Sequence, residues 1–532
     1  MTPDDIKTGG ELSPEETASA APGETETASE ETASATQAAE ETASEESASK
    51  AQTEDGEASE GAEEDYFAPV KVSEKKKRVK RRDLPPAERR RRNIRDIIIT
   101  ATVCGLVLVF FGVLALCSFV GYSGNYDYID TVNALPEDYS DFECEYDDEL
   151  GYYVFSPKDG ASVEDFRVLQ LTDVHIGAGA FSAKKDRFAL QAVAEIVTEV
   201  QPDLVIVTGD VAYPVPFQAG TFDNKREADM FGELMDKLGV YWTVVFGNHD
   251  TEAYSLHDRD DIGAYYAEKA TNGEWEKCLF RVNPKDYEGI SGVGNNMILL
   301  EDESGRIVHS FVTIDSHSYT DGDYFGIAWK YDNIKADQVR WYVEEIIRLS
   351  EASGYAVEGD EYIASTVYFH IPLREYGVYW NEYKDNGYKD TADVHYMQGK
   401  AGESGEKSFP GMYNDILFES MILYNGQGTF CGHDHYNTYS LSVTETVYYE
   451  VDGEGIKVPV EVTDNAKATN SARGTIRLTY GMSIDYLAYI GIANKVEQRG
   501  GTEIKVSLDD GGIAVRQRPY VEIAESANGD WH

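Results

Sequence analysis

Basic residues are in short supply. The 532-residue chain has 47 Lys and Arg against 96 Asp and Glu, for a formal net charge of −49. A surface of that sign repels polyanions and excludes the nucleic-acid binders as a class. Cysteine is scarcer still, with five in the chain. Cys104 and Cys117 share one uncharged apolar run, so Cys144, Cys278 and Cys431 allow at most one intramolecular disulfide. A disulfide scaffold is excluded, and about 400 residues beyond that run are enough to be held by a core instead. Large apolar side chains are nearly missing from residues 1–70, which are Ala, Glu, Thr, Ser and Gly, with "EETAS" recurring at Glu15, Glu30 and Glu40. Such a segment cannot bury enough surface to offset its ordering entropy and is predicted to be disordered.

Charge is absent from residues 97–122, "IIITATVCGLVLVFFGVLALCSFVGY", and this absence is as informative as the others. Roughly 20 apolar residues cross a hydrocarbon core at 1.5 Å each, so the run is long enough to span. A cleaved signal peptide would be shorter and nearer the start. Residues 71–96 before it are strongly basic and carry about +9, whereas the flank after it, "SGNYDYIDTVNALPEDYSDFE", is acidic. The positive-inside rule then predicts a single-pass protein of the cell membrane with a cytoplasmic N-terminus and an extracellular main domain. The basic block also fits anionic lipid headgroups. With the tail at about −18, the exterior keeps about −40, so a phosphate ester has to be drawn in by something local.

Beyond a linker and domain entry at 123–165, apolar runs alternate with amphipathic stretches. "FRVLQLTDVHIG", "DLVIVTGDVAY" and "VYWTVVFGNHD" read as buried strands. Between them "KDRFALQAVAEIVTEVQP" and "KREADMFGELMDKLG" have helical spacing. Strands are also predicted at "RIVHSFVTIDSHSY" and "STVYFHIPL", with a helix at "KADQVRWYVEEIIRLSEASG" between them and another at "YNDILFESMILYNG". The pattern is that of an α/β layered domain with its core at 166–440. Residues 441–532 read as strands and hairpins of the same domain. No internal repeat is found outside the tail.

The chain has only ten histidines, yet several follow directly on predicted strands. Asp173 and His175 end the first, Gly209 and Asp210 the second, Gly247 to Asp250 the third; His370 ends another, and "TFCGHDHYN" carries His433 and His435. Carboxyl ends of strands are where open α/β sheets bind ligands, and oxygen with imidazole donors gathered there suit a metal. Taken singly, Asp-x-His also fits a turn and cap, and Gly-Asp an ordinary turn. The five in order point to one site.

In these motifs, "DVH", "GD", "GNHD", the lone His370 and "GHDH", the chain resembles the calcineurin-like metallophosphoesterase superfamily over about Phe166 to Asn437. "FGNHDTE" and "YFHIPLREY" look most like its purple-acid-phosphatase-like branch. The resemblance implies a sandwich of two mixed β-sheets flanked by helices, and a metal-dependent phosphohydrolase acting on a small-molecule phosphoester. It further implies two divalent ions (Mn, Fe, Zn or similar) bridged by Asp210. One would take Asp173, His175 and His435, the other Asn248, His370 and His433. A hydroxide between them would attack phosphorus. His249 would be the general acid for the leaving alkoxide, with Asp250 orienting its imidazole; the alternative for His249 is a structural role. Tyr213 in "GDVAY" stands where true purple enzymes have a metal-binding tyrosine. Those enzymes have Asp-x-Gly at the first motif, whereas this chain has His175 in place of the glycine, so Tyr213 is expected to wall the site or support a ligand from behind, and is a possible substrate contact.

His317 and Arg374 are candidate substrate contacts, with structural pairing or solvation as the alternative for each. His257, His309 and His395 read as surface or loop histidines. The stretch from Glu375 to about Pro410 is a candidate substrate-selecting rim. Asp434 should point away from the site, and Cys431 should be buried. A phosphodiesterase or nucleotidase with the same metals, and a non-catalytic surface protein keeping the fold, are the competing readings.

Overall fold

In the computed structural model, residues 80–287, 289–323, 326–460 and 470–520 are described. The tail predicted to be disordered, residues 71–79 of the basic segment and residues 521–532 lie outside the described residues. The described residues fall into two units, one ending at Arg89 and the other beginning at Arg90. In the first, a single 3-10 turn covers Arg81–Asp83, and the Arg89 guanidinium donates to the Leu84 carbonyl at 3.3 Å.

Helix α1 (Pro86–Ile129) is 44 residues long. It starts on a proline, whose missing N–H costs nothing at a helix's first position. It outruns the predicted span at both ends. Upstream it takes in the Arg-rich residues, which are good helix formers; downstream it ends at Ile129, buried in the domain. Among the described residues it is the helix long and apolar enough to cross a membrane. The predicted linker contains a hairpin of β1 (Phe142–Asp147) and β2 (Tyr152–Pro157). Phe142 is buried while its acidic neighbours face out, so charge hides the strand from a reading by apolar runs.

The chain continues through β3 (Asp165–Leu171), α2 (Ala183–Val200), β4 (Leu204–Thr208), α3 (Asn224–Leu238), β5 (Trp242–Val245) and α4 (Arg259–Thr271). Next come β6 (Asn296–Glu301), β7 (Ile307–Thr313), α5 (Ala336–Ala352), β8 (Ala364–Tyr368), α6 (Arg374–Asp385), β9 (Val394–Gln398) and α7 (Leu417–Leu423). The last strands are β10 (Gly426–Cys431), β11 (Ser440–Val451), β12 (Lys457–Pro459), β13 (Asn470–Tyr480), β14 (Gly500–Ser507) and β15 (Ile513–Pro519).

Two mixed sheets result. One runs β15-β14-β3-β4-β5, with β3, β4 and β5 parallel. The other runs β1-β2-β6-β7-β8-β10-β13-β11-β12, with β9 on β11 and a parallel centre of β7, β8, β10 and β13. Strands from the C-terminal part therefore join both sheets. On β3 the period of two sends Phe166 and Val168 into the cluster between the sheets, with Phe311, Tyr368 and Phe430, and turns Leu169 and Leu171 toward the helices. Each such side chain contributes about 1.5–3 kcal/mol by leaving water.

His309 is not the surface or loop residue its sequence context suggests. It lies on β7, fully buried beside Phe311, its Nδ1 donating to the Gly511 carbonyl at 2.8 Å and its Nε2 3.0 Å from the Thr366 hydroxyl. Burial pushes its pKa down to about 4. Between about pH 6.5 and 4 the unfolded chain therefore takes up a proton that the folded chain refuses, so stability falls as pH drops through that window. The loss is expected to reach about 3 kcal/mol and to be missing from His309→Gln. Urea unfolding of both at pH 7 and pH 4.5 checks this; equal pH dependence would contradict it.

Candidate metal centre

The carboxyl ends of β3, β4 and β5 in one sheet and of β8 and β10 in the other deliver Asp173 and His175, Asp210, Asn248 to Asp250, His370, and His433 with His435 to one place. The backbone there is held in a costly conformation. Asp173, His175, Asp210 and His433 have φ of 52°, 51°, 53° and 76°, the left-handed region that L-residues rarely enter. Backbone bonds fix two of these turns, since Asp173 N donates to Gly209 O and His175 N to Asp210 O, both at 3.0 Å. Gly209 combines φ of 85° with close packing, and a Cβ there would come within 2.7 Å of His370 Nδ1. A Cβ on Gly247 would come within 2.1 Å of Asp210 Oδ1, so the GD and GNHD turns need their glycines to pack together.

Asp173, His175, Asp210 and His435 each turn one donor atom to a common point, all four within 4.8 Å of one another and all buried. Asp210 Oδ2 lies 3.3 Å from His175 Nε2 and 3.2 Å from His370 Nε2, so one carboxylate oxygen reaches a histidine on either side. On the far side Asn248 Oδ1 lies 3.2 Å from His370 Nε2 and 3.0 Å from His433 Nδ1. His435 Nε2 is 3.3 Å from Asp173 Oδ1.

The other ring nitrogens are engaged in ways that leave these donors free. His370 Nδ1 donates to the Thr208 carbonyl at 2.8 Å, and His435 Nδ1 pairs with Asp485 Oδ2 at 2.9 Å. His175 Nδ1, buried and without a hydrogen bond, stands 3.5 Å from Asp485 Oδ1. Imidazoles held from behind by carbonyl or carboxylate are the arrangement that metal-binding histidines use. The donor set fits divalent metal.

The electrostatics follow from this crowding. Burial opposes a charged His370, but the Asp210 carboxylate beside it prevails and pushes its pKa up to about 9. His175 is raised well above its usual value, against burial, by Asp485 and Asp210. Asp210 is in turn held well below the usual carboxylate range, against burial, by His370 and His249. His433, buried and next to His370, is driven down. Protons thus sit where cations are wanted, and metal binding has to release them.

One expected role is not met, and two candidate substrate contacts take their structural alternatives. Asp250 does not orient His249. Its carboxylate accepts from the N–H of Asp210 (2.9 Å), Ala212 (2.8 Å) and Gly247 (2.7 Å), tying two ligand loops together. The partner of His249 is Glu252, at 2.7 Å from Nδ1. His317 faces Gln338 on α5, 3.2 Å from its Oε1, and not the cluster. Arg374 is exposed at the start of α6, with no contact to the cluster among the described residues. Tyr213 stands as a wall, its ring centre 5.0 Å from that of His175 and 5.1 Å from that of His249. Asp434 turns away to accept from the Tyr480 hydroxyl at 2.5 Å and from Phe409 N at 3.1 Å, which anchors the end of the stretch read as a rim. Cys431 is buried.

Sequence reasoning missed Asp485, Glu252, and the aromatic side chains of Tyr319, Tyr331 and Tyr489. Tyr331 packs on His433 at 4.2 Å, Tyr489 on His435 at 4.9 Å, and the Tyr319 hydroxyl donates to Glu252 Oε1 at 3.0 Å. Glu252 lies three residues after His249, a spacing that was there to be read. Asp485, a few residues beyond β13, had the same strand-end signal as the ligands. Asp485→Asn is expected to keep the fold and to weaken metal binding about 10–100-fold, as loss of a carboxylate behind a ligating histidine does. Titration of the apo chain with Zn²⁺ or Mn²⁺ against a competing chelator checks it; unchanged affinity would contradict it.

Two facing mixed sheets closing on a buried aspartate and histidine cluster define a layered α/β metal-binding protein. Residues 166–437 match the calcineurin-like phosphoesterase family, and the chain belongs to that family. It is similar to "Probable inactive purple acid phosphatase 14" of Arabidopsis thaliana, 26% identical over 52% of this chain and 66% of that one. It is also similar to "Phosphatase DCR2" of Saccharomyces cerevisiae, 24% identical over 52% of this chain and 45% of that one. Its affinities lie in the purple-acid-phosphatase-like branch. A third relative, "Transmembrane protein with metallophosphoesterase domain" of Danio rerio, is 28% identical over 17% of this chain and 18% of that one. The chain thus spans about two thirds or less of these relatives.

Proposed function

We propose that the chain is a membrane-anchored, outward-facing phosphoesterase that uses two divalent metal ions. Asp173, His175 and His435 hold one ion, Asn248, His370 and His433 the other, and Asp210 is shared. The observation that carries this reading is Asp210 Oδ2 lying between His175 Nε2 and His370 Nε2 at 3.3 and 3.2 Å. When bound, the ions make a nucleophile from water at neutral pH and neutralise charge on the phosphoryl oxygens.

The protein's own groups do the rest. His249 N–H donates to Asp210 Oδ1 at 2.8 Å, which fixes the loop beside the shared carboxylate. Glu252 holds Nδ1 of His249 at 2.7 Å, which leaves Nε2 as the nitrogen that can pass a proton to the leaving oxygen. Tyr213 walls the cluster beside His175 and Tyr331 beside His433.

Residues 97–122 of α1 cross the membrane, with residues 1–96 in the cytoplasm and the catalytic domain outside, by the charge bias of the flanks. The printed description of the fish relative, a transmembrane protein with this domain, supports the anchor. The plant relative's description as inactive favours a second reading, a binding protein without turnover; the complete donor set counts against it. Elemental analysis of the purified full chain, with a panel of aryl phosphate mono- and diesters, tests both. Two equivalents of divalent metal and chelator-sensitive hydrolysis are expected, and the panel separates monoesterase from diesterase. A folded, metal-loaded chain inactive across the panel would sink the enzymatic reading.

A further inference from the structure

We infer that the site opens against the outer leaflet and takes its phosphoester from a bilayer lipid, an inference that rests on the phosphoesterase reading above. The catalytic domain does not stand off from the spanning helix. The ring of Phe217 lies 6.5 Å from that of Phe110, and the ring of Phe222 lies 6.2 Å from that of Phe111, both on α1. Farther along, Gly121 packs so close to Gly179 that a Cβ would come within 2.2 Å of its carbonyl carbon. The Arg187 guanidinium donates to Gly124 O at 2.6 Å.

These contacts fix a depth. The uncharged run 97–122 is longer than the roughly 20 residues that cross the hydrocarbon, so counted from Ile97 its outer edge falls near Leu116 and the residues beyond lie in the headgroup region. Phe110 lies roughly six residues short of that edge, about 9 Å inside it at 1.5 Å per residue. The loop that meets Phe110 therefore dips into the outer leaflet, at the depth to which interfacial apolar groups insert. Its side chains suit that position: Phe217 is 80% exposed, and Phe181 and Leu256 close by are exposed as well. Water does not favour such a patch of large apolar groups. Gly124 comes out at headgroup height, and there the otherwise acidic domain presents Lys184 and Arg187 in the first turns of α2.

The same loop is a wall of the catalytic cluster. Tyr213, packed on His175 and His249, begins it, and Gln218 in its middle donates to the Tyr213 hydroxyl at 3.3 Å. Gln218 Nε2 also reaches the Ala488 carbonyl at 3.4 Å, which joins the loop to Tyr489, on His435, and to the fully exposed Ile490. A headgroup phosphate entering between Phe217 and Ile490 meets the cluster with its acyl chains still in the leaflet.

The test uses the full chain, metal-loaded, in phosphatidylcholine vesicles that carry a minor fraction of phosphatidic acid or of phosphatidylglycerol. Hydrolysis of 4-nitrophenyl phosphate and bis(4-nitrophenyl) phosphate is followed in the same preparation. Turnover of one of the two lipids is expected. In a Phe217→Ser/Ile490→Ser double variant it should fall about tenfold or more, with soluble-ester turnover unchanged within about twofold, which also shows that the variant folds. Soluble esters cut and both lipids untouched would overturn the inference and leave the phosphoesterase reading standing, as would a variant that slows both substrates alike. No hydrolysis of any ester would overturn the phosphoesterase reading itself, and the inference with it.

Discussion

Asp210→Asn is expected to leave a folded chain that retains at most one divalent ion and hydrolyses aryl phosphates more than about a thousandfold more slowly. Asp210 Oδ2 reaches His175 Nε2 and His370 Nε2 together, while Oδ1 accepts from His249 N. An amide keeps the shape and the Oδ1 bond but gives up the negative charge by which one residue can serve two cations. Metal ions supply several kcal/mol of transition-state charge stabilisation, and each 1.36 kcal/mol lost is a factor of ten in rate, which sets the thousandfold scale. Metal content by elemental analysis and turnover of 4-nitrophenyl phosphate check it; two bound ions with activity within tenfold of the parent would contradict it.

The metal-free chain shows the same residue from the other side. There His370, raised to about 9, is charged at neutral pH and paired with Asp210. Because the folded pKa lies above the unfolded value of about 6.5, that pair stabilises fully below pH 6.5 and loses its contribution as pH rises through about 9. Chelator-treated Asp210→Asn should thus be less stable than the chelator-treated parent at pH 6, with the gap narrowing toward pH 9.5.

The positions of the donors were legible in the sequence because each follows a buried strand, and apolar runs ending in Asp, His or Asn are a local signal. The support behind the donors was not. Asp250 sits next to His249 in the chain, yet its carboxylate turns back to the N–H groups of Asp210, Ala212 and Gly247. Adjacency in the chain says nothing about which way neighbouring side chains point in a turn, and Glu252, three residues on, is the one that reaches the imidazole. Asp485 comes to His175 and His435 only because β13 lies beside β10, a pairing that apolar pattern does not reveal. The hairpin of β1 and β2 escaped because an edge strand carries acidic side chains where a central one is apolar.

His249→Ala should then separate from every ligand change by a dependence on the leaving group. A general acid accelerates departure of an oxygen that needs a proton, and its loss typically costs 10²–10⁴-fold. For a nitrophenolate, which leaves without protonation, the cost should be small, roughly tenfold or less; for an alkyl phosphate it should approach the full range. Removing a metal donor such as His370 slows both alike, because the nucleophile is lost whatever departs. Glu252→Gln is expected to show the same dependence in weaker form. An amide at 2.7 Å from Nδ1 can still hold the ring, but it brings no negative charge to the imidazole. Alkyl phosphate turnover in Glu252→Gln should therefore fall more than nitrophenyl phosphate turnover does, and by less than in His249→Ala. Rates of both esters for the parent and the two variants decide it. Equal losses on both esters in His249→Ala would remove the acid role and leave His249 a structural residue.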